Sequence, residues 1–448
     1  MEPKVSFRCS DPVLQEGFAW AKGQAMAYVR RTGDPVGPWY EAALPERDAF
    51  CVRDTAHQRA GAAILGLADC TYNMLRRFCE SIHPDRDDCM YWEIEKSGRP
   101  APVDYTNDQD FWYNLPANFD LLQACWREYL WTGDARYIED EVFLRCYETS
   151  CTRYLARWDR DGDGWPEHLP ADGRRGIASY NEQGRSPYRA ADLLGAMFAG
   201  FRAYAEILRL RGEAEQAERY TTRADQVRAH YLGEWYDAKR RRFFGAMKAP
   251  GQFRRDYYDT GHYLPVWFGL LDGSPLLGGA LSWILAQGPN NVEGKSYFPA
   301  IYYGRGLERE GLRELRELCV PGLKRRDYPE VSFAVISSAV EQYMGITVPA
   351  PNILQSCPAL EDGGWAELQQ LPVFGGSVSI RQEGQKATTL KLLEGSGFIW
   401  RACFPGEFAR LLVDGQPRGA AQLKDAAGRT VSYVDISPAG QTSTVSIE

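Results

Sequence analysis

The chain has 448 residues, a formal charge of −8 and a hydrophobic share of 44%. This length exceeds one ordinary core and predicts a large domain with a small companion, or an α-barrel that grows by repetition. The acidic balance excludes a general nucleic-acid footprint, and the longest basic run, Lys239-Arg240-Arg241-Arg242, is too short to make one.

Apolar spacing from about residue 11 to about 345 is mostly helical. It predicts roughly twelve helices, near 11–31, 54–67, 69–82, 109–131, 134–157, 187–211, 213–233, 257–271, 275–286, 297–303, 306–319 and 331–344. Long Gly-, Pro-, Asp- and Trp-rich loops join them, notably 32–53, 84–108, 158–186 and 238–256, and loops of this kind commonly carry function. After Pro349-Ala350-Pro351 the pattern turns to short alternating runs such as Gly376-Ser377-Val378-Ser379-Ile380, which read as strands. The expected organisation is therefore a helical domain over 1–350 and a small all-β domain over 351–448. If the helices pair into six hairpins that close into a ring, the fold is mainly α, an (α/α)6 barrel whose alternate helices all start on one rim.

The eleven cysteines are odd in number and contain no C-x-x-C pair, which argues against a disulfide framework and a zinc site and favours a reducing, cytoplasmic setting. The start, Met1-Glu2-Pro3-Lys4-Val5, has no apolar h-region, and no run of apolar residues is long enough to span a bilayer, so no signal peptide or membrane partner is expected. The oligomeric state is left open by the sequence.

The unusual motifs cluster at the predicted starts of the even-numbered helices. At the second stands Cys51-Val52-Arg53-Asp54-Thr55-Ala56-His57, where Arg53 and Asp54 offer donors and acceptors to sugar hydroxyls, or equally a solvated arginine and a helix cap. At the fourth, Asp104-Tyr105-Thr106-Asn107-Asp108-Gln109-Asp110-Phe111-Trp112 joins acids to aromatic faces; Asp108 and Trp112 suit a sugar ring, or an acidic first turn over a core. The run Asp159-Arg160-Asp161-Gly162-Asp163-Gly164 imitates a calcium loop, but its twelfth position is Pro170, so a structured turn is expected ahead of an EF-hand-type site, with an unrelated calcium site left open.

Before the sixth helix, Arg174, Arg175 and Ser179-Tyr180-Asn181-Glu182 lead to a candidate general acid, Glu182, which such a role requires to be partly buried beside groups like Tyr180. A plain surface ion pair is the competing reading. At the eighth, Tyr257-Tyr258-Asp259-Thr260-Gly261-His262 places Asp259 and His262 in a polar, aromatic lining or an ordinary helix entry; the tenth follows Glu293-Gly294-Lys295-Ser296-Tyr297. His57 and His262 lack a third ligand at metal spacing. Before the twelfth, Asp327-Tyr328-Pro329-Glu330 sets Glu330 in the first turn as a candidate general base with Tyr328 beside it, although a helix dipole alone favours an acid there.

In the placement of Arg53-Asp54, the acidic-aromatic motif, Glu182 and Glu330, about residues 10–345 resemble the six-hairpin glycosidases, the group that includes glucoamylases, bacterial trehalases, processing α-glucosidase I and α-L-rhamnosidases. The resemblance implies that the Arg53-Asp54 pair grips the terminal sugar, Glu182 is the acid and Glu330 the base. Two departures separate the chain from the glucoamylase pattern: Tyr180-Asn181-Glu182 lacks a doubled acidic residue, and the β-domain follows the helices.

The expected activity is exo-type, inverting hydrolysis of a small carbohydrate substrate with no cofactor, with Arg174 or Arg175 available to a uronate. The alternatives are a sugar epimerase or polysaccharide lyase using His57 or His262 with a tyrosine, and a non-catalytic carbohydrate-binding protein.

Overall fold

The computed structural model describes residues 3–169, 173–182, 186–438 and 442–448. Twelve helices longer than a single turn run through the described part of the helical region: α1 Pro12–Ala27, α2 Val52–Ile64, α3 Ala68–Ser81, α4 Ala117–Thr132 and α5, which runs from 141 to 158 through a π-helical segment, Ser150–Tyr154. There follow α6 Ala191–Leu210, α7 Ala214–Glu234, α8 Asp259–Trp267, α9 Leu277–Gln287, α10 Val292–Tyr303, α11 Glu308–Cys319 and α12 Pro329–Ser337, the last continued as a π-helix, Ser338–Tyr343.

Local chemistry sets the ends. Asp11 caps α1 by accepting from Val13 N at 2.9 Å, with Pro12 in the first turn. Asn291 caps α10 by accepting from Gly294 N at 2.7 Å, so this helix starts five residues before the expected 297 and tolerates Pro299 inside. Helix α4 starts eight residues after the expected 109, directly behind Pro116; the acidic-aromatic motif instead forms a small hairpin, Tyr105–Asn107 against Asp110–Phe111. Helix α12 begins at Pro329, and the Tyr28 hydroxyl after α1 donates to the Asp327 carbonyl, pinning the approach to Glu330.

Packing runs in a cycle among the even-numbered helices: α2 touches α4, α4 touches α6, α6 touches α8, α8 touches α10, α10 touches α12, and α12 returns to α2. The odd-numbered helices pack outside them, for example α7 on α6 and α11 on α10. Glycines permit two of the closest approaches. A Cβ on Gly61 of α2 would lie 2.4 Å from the Phe333 carbonyl oxygen of α12, and one on Gly200 of α6 would lie 2.8 Å from that of Phe119 in α4.

Two sheets follow the helices. Strands β1 Ser6–Cys9, β2 Ile346–Ala350, β3 Ile353–Ser356, β4 Trp365–Val373, β5 Gly376–Glu383, β6 Ala387–Glu394, β7 Ile399–Pro405, β8 Arg410–Val413, β9 Gln416–Gly419, β10 Ala421–Lys424, β11 Thr430–Ile436 and β12 Thr442–Ser446 form orders β1-β4-β5-β6-β12-β8-β9 and β2-β3-β7-β11-β10. Although β1 precedes every helix, it pairs antiparallel with β4, so residues 6–9 join the C-terminal sheet. The Trp131 indole of α4 donates to the Pro372 carbonyl at 2.9 Å and ties the two layers together.

Because the Gly61 contact is backbone to backbone, no side chain can yield to an added methyl. Gly61→Ala is expected to cost about 1–3 kcal/mol as an overpacked core, read as a lowered midpoint in chemical denaturation, whereas alanine at the open Gly23 position changes it little.

Candidate active site

The first turns of α2, α8, α10 and α12 and the loop before α6 bring their charges to one place. Arg53 is its cation: Nη2 meets Glu293 Oε1 at 3.0 Å, Nε meets Asp54 Oδ1 at 3.0 Å, and Nη1 lies 4.0 Å from Glu182 Oε1. Burial works against the guanidinium charge, but Glu293 and Asp54 outweigh it and hold Arg53 well above its ordinary value.

Glu182 also accepts a hydrogen bond from Asn114 Nδ2 at 2.9 Å, and its side chain is 40% exposed. The backbone before it is anchored from below. Buried Asp192, in the first turn of α6, accepts from Ser179 Oγ at 2.8 Å, Tyr180 N at 2.8 Å and Thr260 Oγ1 of α8 at 2.7 Å.

Glu330 is buried, and its Oε2 has no hydrogen-bond partner. Burial, then the charges of Asp54 and Glu293, push its carboxyl well above the ordinary range, so the same carboxylates that share Arg53 also face Glu330. Burial raises Asp54 as well, against the opposing pull of Arg53.

Beneath these groups, His57 Nε2 lies 2.6 Å from Asp120 Oδ2, and the Tyr180 hydroxyl donates to the same oxygen at 2.8 Å. His57 Nδ1 meets the Tyr297 hydroxyl, and the Trp267 ring centre lies 4.7 Å from the imidazole. Arg53 stands over the rings of Trp92 and Tyr180 at 5.9 and 5.8 Å. His57, Asp120, Trp267, Tyr297 and Glu330 all line one cavity of about 530 Å³. Charged groups beside aromatic faces are the combination that binds sugar hydroxyls and ring C–H faces together.

The structure thus brings together Arg53, Asp54, His57, Tyr180, Glu182 and Glu330, with Asp259 adjoining through Glu293. The other expected site residues hold different partners. Asp108 accepts from Arg86 at 2.6 Å and Tyr105 at 2.8 Å, which hold its carboxyl below the ordinary range against the opposing effect of burial. Trp112 N donates to the Asp104 carbonyl at 2.6 Å beside the small hairpin. Arg175 pairs with Asp110 and Arg174 with Asp87, so both arginines are already neutralised.

His262 is packed under Tyr257, with ring centres 4.7 Å apart, and burial lowers it to about 4. Tyr328 is half-buried at the entry to α12, with the Arg325 guanidinium 5.3 Å from its ring centre. In the Asp159 loop, Asp159, Asp161, Asp163 and Glu167 come close enough together to hold a metal ion, and Arg189 meets Asp163 at 2.9 Å and Glu167 at 3.0 Å.

Sequence reasoning did not single out Glu293, Asn114, Asp120, Trp92 or Trp267. Glu293 carried a usable signal, since it lies in the motif before the tenth helix; placing that helix at 297 hid its position in a first turn. Asp120 was hidden in the same way by the displaced start of α4.

No family model matches the chain. No curated protein matches it either. Solved structures do: an α-L-rhamnosidase from Dictyoglumus thermophilum is similar with a TM-score of 0.64 at 12% identity, over 99% of this chain and 50% of that one. A GH78 family rhamnosidase of a Bacillus species is similar at 0.60 and 14%, over 87% and 41%. A shorter glycosidase variant is similar at 0.52 and 13%, over 73% of this chain and 96% of its own. The chain therefore shares the fold of these glycosidases, and it spans half or less of the rhamnosidase chains. No helix among the described residues is long and apolar enough to cross a membrane.

Asp259 gives the site a pH signature. Burial, with Glu293 adding to it, raises its carboxyl from 3.8 to about 7. The folded group keeps its proton where the unfolded chain has released it, so its contribution to stability is complete below 3.8 and is lost as pH rises to about 7. Asp259→Asn is expected to flatten the decline of thermal midpoint with pH in that window, measured by scanning calorimetry against the unsubstituted chain.

Proposed function

We propose that the chain is an exo-acting, inverting glycoside hydrolase built on an (α/α)6 barrel, with its helical domain ending near residue 350 and a β domain behind it. The cycle of contacts among the even-numbered helices supports the barrel. The observation that carries the function is the gathering of Glu182, Glu293, Asp54 and Glu330 around one arginine, at the edge of an aromatic cavity.

In this reading the terminal sugar sits against Arg53 and Asp54, with the aromatic wall of Trp92, Tyr180 and Trp267 against its C–H face. Glu182, open to solvent on one side, gives its proton to the glycosidic oxygen as the bond to the anomeric carbon breaks. Glu330 removes a proton from the water that attacks that carbon from the opposite face. An inverting pair stands roughly 6.5–9.5 Å apart to admit that water.

A neutral terminal sugar is favoured over a uronate, because Arg174 and Arg175 already hold carboxylates. The fold is shared with two rhamnosidases and with a glycosidase variant solved in complex with glucose, which supports a hexose or deoxyhexose. The eleven free cysteines, ten of them buried, support a reducing, cytoplasmic setting. The reaction as written calls on no cofactor.

Glu182→Gln and Glu330→Gln are each expected to lower kcat by about 10²-fold or more with folding retained, in a screen of aryl glycosides of neutral sugars. Wild-type rates in both variants would refute the assignment. Proton NMR at early time points should show the inverted anomer first; a retained anomer would point to a carboxylate nucleophile instead.

The rate should also climb with pH along a limb displaced above the ordinary carboxylate range, since the base works only after Glu330 has lost its proton. That limb should vanish in Glu330→Gln.

The contact of His57 with Asp120 and Tyr297 favours one other reading, sugar epimerisation by proton abstraction. Deuterium entering a sugar C–H position from heavy water, without hydrolysis, would select it.

A further inference from the structure

The 530 Å³ cavity does not end at the site. Its lining descends the inner helices one turn at a time: Asp120, Ala124 and Arg127 on α4, and Glu330, Ala334, Ser338 and Glu341 on α12 and its π-helical continuation. Since residues four apart stack on one helix face, this register describes a shaft along the barrel axis. Thr347 and Pro349 of β2 and Ala426 line its far end, opposite the first turns that carry the rim charges.

Two features show what such a shaft holds. Its middle is lined by alanines, and Ala300 and Ala334 are only half-buried although they face inward from α10 and α12. Polar side chains share the lining, among them Gln58, Arg59, Gln123, Arg127, Glu341 and Gln342, and some buried polar atoms beside it have no protein partner. Gln58 is only 3% exposed, and both its Oε1 and its Nε2 lack a hydrogen bond; Oε2 of Glu330, 9% exposed, lacks one too. Apolar cavities stay dry, whereas buried polar groups with room beside them hold water. At about 30 Å³ per molecule, the cavity takes on the order of fifteen waters.

Glu330 belongs both to the charged site and to the wall of the shaft. We propose that the shaft is a water conduit, carrying the nucleophilic water from the β2 end to the Glu330 carboxylate while a bound sugar covers the rim. The inference rests on the hydrolase reading above. Each turnover consumes one water: its oxygen bonds to the anomeric carbon, one proton passes to Glu330, the glycosidic C–O bond breaks, and the departing alcohol leaves with the proton of Glu182. With a sugar seated on Arg53 and Asp54, the replacement water arrives from behind.

The test blocks the shaft below the site and leaves the rim intact. Ala334→Leu and Ala300→Leu narrow it from opposite helices, and Gln58→Leu, nearly equal in volume, removes its polar wall without crowding the core. A crystal structure of the unsubstituted enzyme should show a file of ordered waters reaching Glu330, interrupted in the leucine variants. Each variant should lose roughly tenfold in kcat with KM changed by less than about twofold, the pattern for a lost step after binding, while a thermal midpoint near that of the parent separates blocking from unfolding.

A shaft without water in an active enzyme, or folded variants that turn over at the parental kcat, would overturn the conduit alone. A parent chain that hydrolyses no glycoside would overturn the hydrolase reading and the delivery role together.

Discussion

A single half-buried cation organises this structure's charged rim. Arg53 pairs at 3.0 Å with Asp54 and with Glu293, and reaches toward Glu182. Carboxylates brought this close without a counter-charge would each hold a proton, because like charges in a poorly solvated site cannot all ionise. Around Arg53 the burden is divided unevenly. The acids in contact with the guanidinium share its charge, while Glu330, set deeper and against the same carboxylates, is driven well upward. Burial therefore favours the protonated form of Glu330, and the proposed role as base requires that proton to leave first.

The same design explains why the site is rigid on one side and open on the other. Asp192 holds the backbone ahead of Glu182 by three hydrogen bonds from two elements, so the loop is fixed where it meets the helices. Beyond that point Glu182 reaches solvent, as the role proposed for it requires. Glu330 starts a helix behind Pro329, and its burial follows from the close passage of α12 across α2 at Gly61. Small residues thus serve two ends: glycine lets the backbones touch at the ring, and alanine leaves its axis unfilled. A ring of six helices cannot be filled to its centre by short side chains, so the polar groups facing that space need a solvent of their own.

Most of the helical plan was legible in the chain, because apolar periodicity and caps are local properties. The errors lay where two local signals conflicted. The spacing places the tenth helix at 297, yet Asn291 already caps it, and Pro299 is tolerated inside. Asp108 and Asp110 looked like a helix start, yet Pro116 set the true one and left the acids in a hairpin. Both misplacements moved the supposed rim, which is why Glu293 and Asp120 were passed over while Asp108 and Trp112 were credited. Nothing local announced that β1 would join a sheet whose next strand lies more than 350 residues away.

By itself, the sequence determined the helical count, the change to strands near residue 350, and the presence of acids and aromatics at several helix entries, since each depends on neighbours within a few residues. Which of those acids meet was decided only in three dimensions. Arg53 chose among them by reach: Asp54, Glu182 and Glu293 fall within its guanidinium's range, whereas Asp108 and Asp110 found Arg86 and Arg175 first. Pairing between distant charges, and the burial that shifts their proton affinity, depend on distances that a linear order does not contain.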